Sequence, residues 1–135
     1  MEVIVVLDRN TYSDWRKSGK WAGNFATADR VVVPSVVLGE LEFGFLKGAR
    51  RDENRRKLLD FLHNPHVEVA VVDHRTAEIY AELLLFLRNK GKPIPTNDIW
   101  IAAQARQSGG ELAARDGHFA ELPMLRMAME IPLDG

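Results

Sequence analysis

Apolar residues fall in short dense runs along this chain, separated by longer stretches where they recur at helical spacing. Val3 to Leu7 (VIVVL) is an unbroken, mostly β-branched run that stops at Asp8, the pattern of a strand buried on both faces in a parallel sheet. Arg30 to Pro34 (RVVVP) predicts a second strand, Val67 to Val72 (VEVAVV) a third, ELAAR from Glu111 a fourth, and LRMAME from Leu125 a weaker fifth. Between them, SVVLGELEFGFLKG reads as a helix with Ser35 as N-cap and Gly48 near its end. DENRRKLLDFLHN is a further amphipathic helix closed by Asn64 and Pro65, and RTAEIYAELLLFLRNKG a long one ending at Gly91. Its Leu83 to Leu87 are apolar on nearly all sides, which predicts burial against something beyond its own sheet. Thr96 can cap NDIWIAAQARQSGG, whose Ile99, Ala102, Ala103 and Ala105 make one apolar face.

Strands alternating with helices predict an α/β domain with a mostly parallel central sheet of about five strands, flanked by helices. No repeat, low-complexity segment or linker interrupts it, so residues 1–135 read as a single domain. In such open sheets, ligands sit beyond the carboxyl ends of the strands. Asp8 follows the first strand and Asp116 follows ELAAR, so both should project over that edge, and the helix bearing Asp98 in its first turn should start near it. Glu40 lies inside an apolar helix whose Val36, Val37, Leu41, Gly44 and Phe45 should face the sheet. A carboxylate there is costly unless paired or metal-bound.

The chain has no cysteine, so disulfides, thiolate metal sites and thiol nucleophiles are excluded. The opening MEVIVVLD is brief and carries an early acid, unlike a secretory signal. No later run approaches the roughly 20 apolar residues of a membrane span. A cytoplasmic protein with no membrane partner is expected. The net charge is −1 and the pI about 6.4, so the chain as a whole is no polycation. Yet KGARRDENRRK, Lys47 to Lys57, sets six basic residues against two acidic ones. Such a run is either a solvated helix face or a patch for phosphates beside an acidic site.

Singly, each acid has an ordinary role: Asp8 in a turn, Asp98 against a helix dipole, Asp116 in an Asx-turn, Glu40 paired with an arginine. Together, four acids converging on one edge repel, and a hard divalent cation resolves the repulsion. Oxygen-only ligands suit Mg²⁺ or Mn²⁺. Other chemistries fit less well. QSGGEL precedes a strand rather than opening a helix, so it is no phosphate loop. No serine has a nucleophile elbow, and His63, His66 and His74 lack the spacing of a zinc helix. His118, close to Asp116, reads as an exposed loop histidine, and Trp100 as core.

At these residues the chain resembles the PIN-domain ribonucleases, in particular the VapC-type toxins of toxin–antitoxin modules. The resemblance rests on LDRNTYS after the first strand, on GELEFG from Gly39 to Gly44, on NDIWIAA from Asn97 to Ala103, and on ARDGHF from Ala114 to Phe119, in order and at family spacing. It implies a catalytic and metal-binding quartet of Asp8, Glu40, Asp98 and Asp116, with Asn10 in support. The implied activity is hydrolysis of RNA phosphodiester bonds with one or two Mg²⁺ or Mn²⁺ ions, about 3.5–4 Å apart if paired. Single-stranded or loop RNA is the implied substrate, with Arg50, Arg51, Arg55, Arg56 and Arg115 as candidate phosphate contacts. A cognate antitoxin and a homodimer are the implied partners, and the apolar excess of the helix from Arg75 to Lys90 makes that helix the expected dimer contact.

Two positions depart from the family pattern. Arg9 stands where a small residue is usual, and Ala114 replaces the usual threonine. A guanidinium beside Asp8 can fold back on the carboxylates or turn outward to a phosphate. The competing readings are a non-catalytic RNA-binding or protein-interaction module on the same fold, and a phosphoryl-transfer enzyme using Asp8 as nucleophile. Asn10, where a second aspartate would be needed, disfavours the latter.

Overall fold

β-Branched runs make the central strands here because both faces of the sheet are covered there and their side chains fill a pleated surface. In the computed structural model, which describes residues 1–115 and 117–133, the strands are β1 (Ile4–Leu7), β2 (Arg30–Pro34), β3 (Val67–Ala70) and β4 (Glu111–Ala113). All pair in parallel, in the order β3-β2-β1-β4. Val6 lies opposite both Val32 and Leu112, and all three are fully buried. The strand order runs outward from β1 to β3 and then reverses, so the switch point lies between β1 and β4.

The expected fifth strand shrinks to one parallel bridge between Leu112 and Met127. Its backbone groups find other partners just beyond. The Asn24 side chain donates to the Met129 carbonyl at 2.9 Å and accepts the Ile131 N–H at 2.7 Å. The tail therefore leaves the sheet and lies on a helix. Gly23 permits the approach, since a Cβ there would collide with the Ile131 carbonyl.

The helices are α1 (Arg9–Ser18), α2 (Ala22–Thr27), α3 (Ser35–Lys47), α4 (Arg51–Leu62), α5 (His74–Lys90) and α6 (Thr96–Ser108), with a 3₁₀ turn at His118–Glu121. Two of them, α1 and α2, have no counterpart in the apolar periodicity. Ser35 and Thr96 are first helical residues rather than caps: Pro34 and Pro95 take the cap positions, and neither helix has a side-chain cap. A proline there presets its own φ and lacks only an N–H that the helix does not use. In contrast, α5 opens with a reciprocal capping box between Asp73 and Thr76.

Much of the apolar excess on α5 is absorbed within the chain. Ile79, Leu83 and Leu87 are buried, and Tyr80 stacks on Trp100 of α6 with ring centroids 3.9 Å apart. Leu85 remains 61% exposed, with half-buried Leu84 and Phe86 beside it. No helix among the described residues is long and apolar enough to cross a membrane.

Candidate active site

β1 ends at Leu7, and the next residue caps α1. Asp8 adopts an extended backbone and its Oδ1 accepts the Thr11 N–H at 2.8 Å. Thr11, itself buried, donates its hydroxyl to the Ala113 carbonyl at the end of β4. This bond ties the start of α1 to the far side of the switch point. Asp8 is only 8% exposed. Burial is the main force raising its carboxyl above the ordinary range; the Thr11 bonds oppose this, the Asp98 charge adds to it, and the Arg115 charge lowers it.

Glu40 comes from α3. The expectation of a sealed apolar face is corrected here: Val37 and Leu41 are buried, but Gly44 is exposed and Glu40 sits half-buried at the rim. A rim position keeps part of the carboxylate in water, which lightens the desolvation cost. Its Oε2 accepts from Asn97 Nδ2 at 3.4 Å. Burial again is the first cause of a raised pKa; Asn97 and the Arg9 charge oppose it, and Asp98 and Asp8 reinforce it. Asp98, in the first turn of α6, has an oxygen 2.7 Å from His118 Nδ1.

Asp8, Glu40 and Asp98 thus act on one another electrostatically at the carboxyl edge of the sheet. The sequence expected Asp8, Glu40, Asp98 and Asp116 to converge here as a metal-binding quartet. Asp116 lies outside the described residues. Asn10 is half-buried in the first turn of α1. Three further participants carried little sequence signal. Thr11 and Asn97 lie within the family motifs but show their roles only through contacts across the fold, and His118 is twenty residues from Asp98.

Among the described residues, no three such side chains are drawn close enough to hold an ion by themselves. The donor set still suits Mg²⁺, which is usually held through one or two carboxylates and keeps several waters. Of the candidate phosphate contacts, Arg51 and Arg55 form exposed ion pairs at 3.2 Å with Asp52 and Glu42. Arg115 Nη2 lies 2.9 and 3.0 Å from the two oxygens of Asp14. Arg50 and Arg56 are exposed on and before α4. Arg9 is exposed, yet its charge reaches Glu40.

The sequence profile of the PIN domain matches residues 5–124, spanning β1 through the turn after β4. The chain belongs to the PIN-domain family. Within it, the chain is 31% identical over 117 residues to the ribonuclease VapC5 of Mycobacterium tuberculosis, covering 87% of this chain and 86% of that protein. Among solved structures, the VapBC-5 toxin–antitoxin system of the same organism matches at 28% identity with a TM-score of 0.70, over 92% of this chain and 94% of that one. VapBC2 of Rickettsia felis, bound to a DNA fragment from its promoter, matches at 25% identity with a TM-score of 0.83, over 96% of this chain and all of that one. The PIN domain's four-stranded parallel sheet accounts for the convergence of its acids: three enter from β1, α3 and α6, elements remote in sequence and adjacent at the switch point.

Proposed function

We propose that this protein is a divalent-metal-dependent endoribonuclease, the toxin of a toxin–antitoxin pair, acting as a single PIN domain over residues 1–135. The observation that carries the reading is that Asp8, Glu40 and Asp98 lie within reach of one another's charge at the sheet edge, offset only in part by Arg115 and Arg9. Asp8 and Asp98 are the principal metal ligands, with Glu40 and Asp116 holding a second ion or orienting the attacking water, and Asn10 supporting them. The bound Mg²⁺ or Mn²⁺ supplies an activated water and neutralises charge building on the phosphate. The chain's own residues do the positioning. Thr11 fixes the Asp8 rotamer, Asn97 holds Glu40, and His118 orients Asp98. Kinship with the VapC ribonucleases supports RNA as substrate and an antitoxin as partner.

Purified protein is expected to cleave single-stranded RNA with Mg²⁺ or Mn²⁺ and not with EDTA. Asp98→Asn is expected to lose at least about a hundredfold in rate while folding normally. Metal-independent cleavage, or full activity in the variant, would sink the assignment. The reach of Arg9 to Glu40 favours a second reading, a site disabled by its own guanidinium that binds RNA without cutting it. That reading requires RNA affinity indifferent to metal and no product at any metal concentration.

A further inference from the structure

One helical turn beyond Asp8 lies a second feature, opposite in sign. A cleft of about 420 Å³ opens between α1, α3 and the start of α4, lined by Tyr12, Ser13, Arg16, Lys17, Phe45, Arg50, Asn54 and Lys57. Its volume is within the range of clefts that hold small ligands. Four of the lining residues are cationic and none is acidic. A net charge of −1 makes such a concentration of cations unrepresentative of the surface as a whole.

The cleft is partly built in advance. Arg16 donates from Nε to the Tyr12 hydroxyl at 3.1 Å and from Nη2 to the Lys57 carbonyl at 2.9 Å. Its guanidinium lies 4.6 Å from the Trp15 ring centroid. Two of its five N–H donors are used in this way, and the others have no protein acceptor among the described residues. A guanidinium already held by a hydroxyl, a carbonyl and an aromatic ring gives up little freedom when an anion arrives. Lys17 and Arg50 add charge from α1 and from the residue before α4. The exposed Lys57 reaches the half-buried Glu53 at 3.3 Å, a surface pair weak enough to be exchanged for a phosphate.

Position gives the cleft its meaning. Tyr12 N–H bonds the Asp8 carbonyl, so the lining begins about 6 Å along α1 from the acidic site. An acidic centre repels an RNA backbone unless cations nearby hold the adjoining phosphates.

The geometry points to this cleft as a phosphate cradle that grips the RNA strand beside the bond to be cut. The inference rests on the ribonuclease reading and narrows it: of the candidate phosphate contacts, Arg50 belongs to the cradle, while Arg51, Arg55, Arg56 and Arg115 do not line it.

The test uses the full chain and a labelled single-stranded RNA oligomer. Binding is measured in EDTA, where no cleavage is expected, across a range of salt concentrations. Lys17→Gln, Arg50→Gln and Lys57→Gln combined should weaken binding about tenfold or more and reduce the log–log salt slope by about 2, near 0.7 for each single-strand phosphate that the variant no longer neutralises. The rate at saturating RNA with Mg²⁺ should stay within about threefold of the parent, since the acids are intact. A charge-matched control of Lys20→Gln, Arg75→Gln and Lys92→Gln should change affinity by less than about threefold. Arg50→Gln alone, with its melting temperature checked, repeats the measurement should the triple variant misfold. An unchanged affinity and salt slope, in a parent that binds and cuts RNA, overturns the cradle and leaves the ribonuclease standing. Unchanged RNA binding with weakened antitoxin binding overturns it too, making the cleft a protein-docking site. A parent that neither binds nor cuts RNA removes both.

Discussion

Asp8 serves two purposes through one side chain. It caps α1, and it faces another carboxylate while nearly buried. Burial and the Asp98 charge raise its pKa, so the folded metal-free protein holds that proton more tightly than the unfolded chain does. Its contribution to stability is therefore fully present below the ordinary value of 3.8 and is lost as pH rises through the raised folded value. At neutral pH the charge is a net cost. Asparagine caps as well as aspartate, so in EDTA at pH 7 Asp8→Asn should melt above the parent by roughly 2–4 °C, the size of an effect near 1 kcal/mol. The gap should close on acidification toward pH 4. Mg²⁺ should reverse the order, because only the parent gains from binding it. A variant that melts lower than the parent at pH 7 without metal would mean that the Asp8 charge is already compensated. Arg9 makes a companion case, since its charge favours the ionised form of Glu40. Arg9→Thr should lower the Mg²⁺ concentration needed for half-maximal cleavage. A raised KM for RNA, more marked at low salt, would instead assign Arg9 to a phosphate.

At the scale of elements, α5 is anchored at its first turn. Thr76 is fully buried; its hydroxyl accepts the Asp73 N–H at 3.0 Å and contacts Gln107 of α6. Thr76→Val keeps the shape and strands these partners, so a loss of about 1–3 kcal/mol in chemical denaturation is expected. Cleavage should be unaffected, because Gln107 lies nine residues, about 14 Å along α6, from Asp98. The same scale divides what the sequence revealed from what it hid. β1 and β2 were legible because a buried parallel strand leaves a run with no polar interruption. The place of Asp8 was legible because the edge of such a sheet is fixed by strand direction alone, whereas Glu40 drew notice for a sealed helix face that the fold does not provide. Helix α1 was not, since Arg9–Ser18 buries only Thr11 and Tyr12 and owes its place to the Asp8 cap. Nor was α2, six residues entered through Trp21 in the left-handed region. His118 was set aside as a loop residue because nothing local says that a turn after β4 folds back on α6.

At the scale of the whole molecule, Leu84, Leu85 and Phe86 form the apolar remainder of α5 after α6 is covered. They are the proposed contact of a two-fold homodimer, in which each α5 meets its copy. Light scattering at micromolar concentration should give twice the chain mass, and Leu84→Glu with Leu85→Glu should give a monomer. A strictly monomeric parent removes the dimer; a dimer indifferent to both changes moves it to another surface.

The bond from Thr11 to the Ala113 carbonyl spans 102 residues. β1 is made well before β4, yet the acidic centre sits between them. A chain still emerging from the ribosome can pair β1 with β2 and β2 with β3, but it lacks the strand that closes the switch point until β4 has followed them. A nuclease whose nearest RNA at birth is the machine making it gains from that order. Until β4 has formed, Thr11 has no Ala113 carbonyl to hold it.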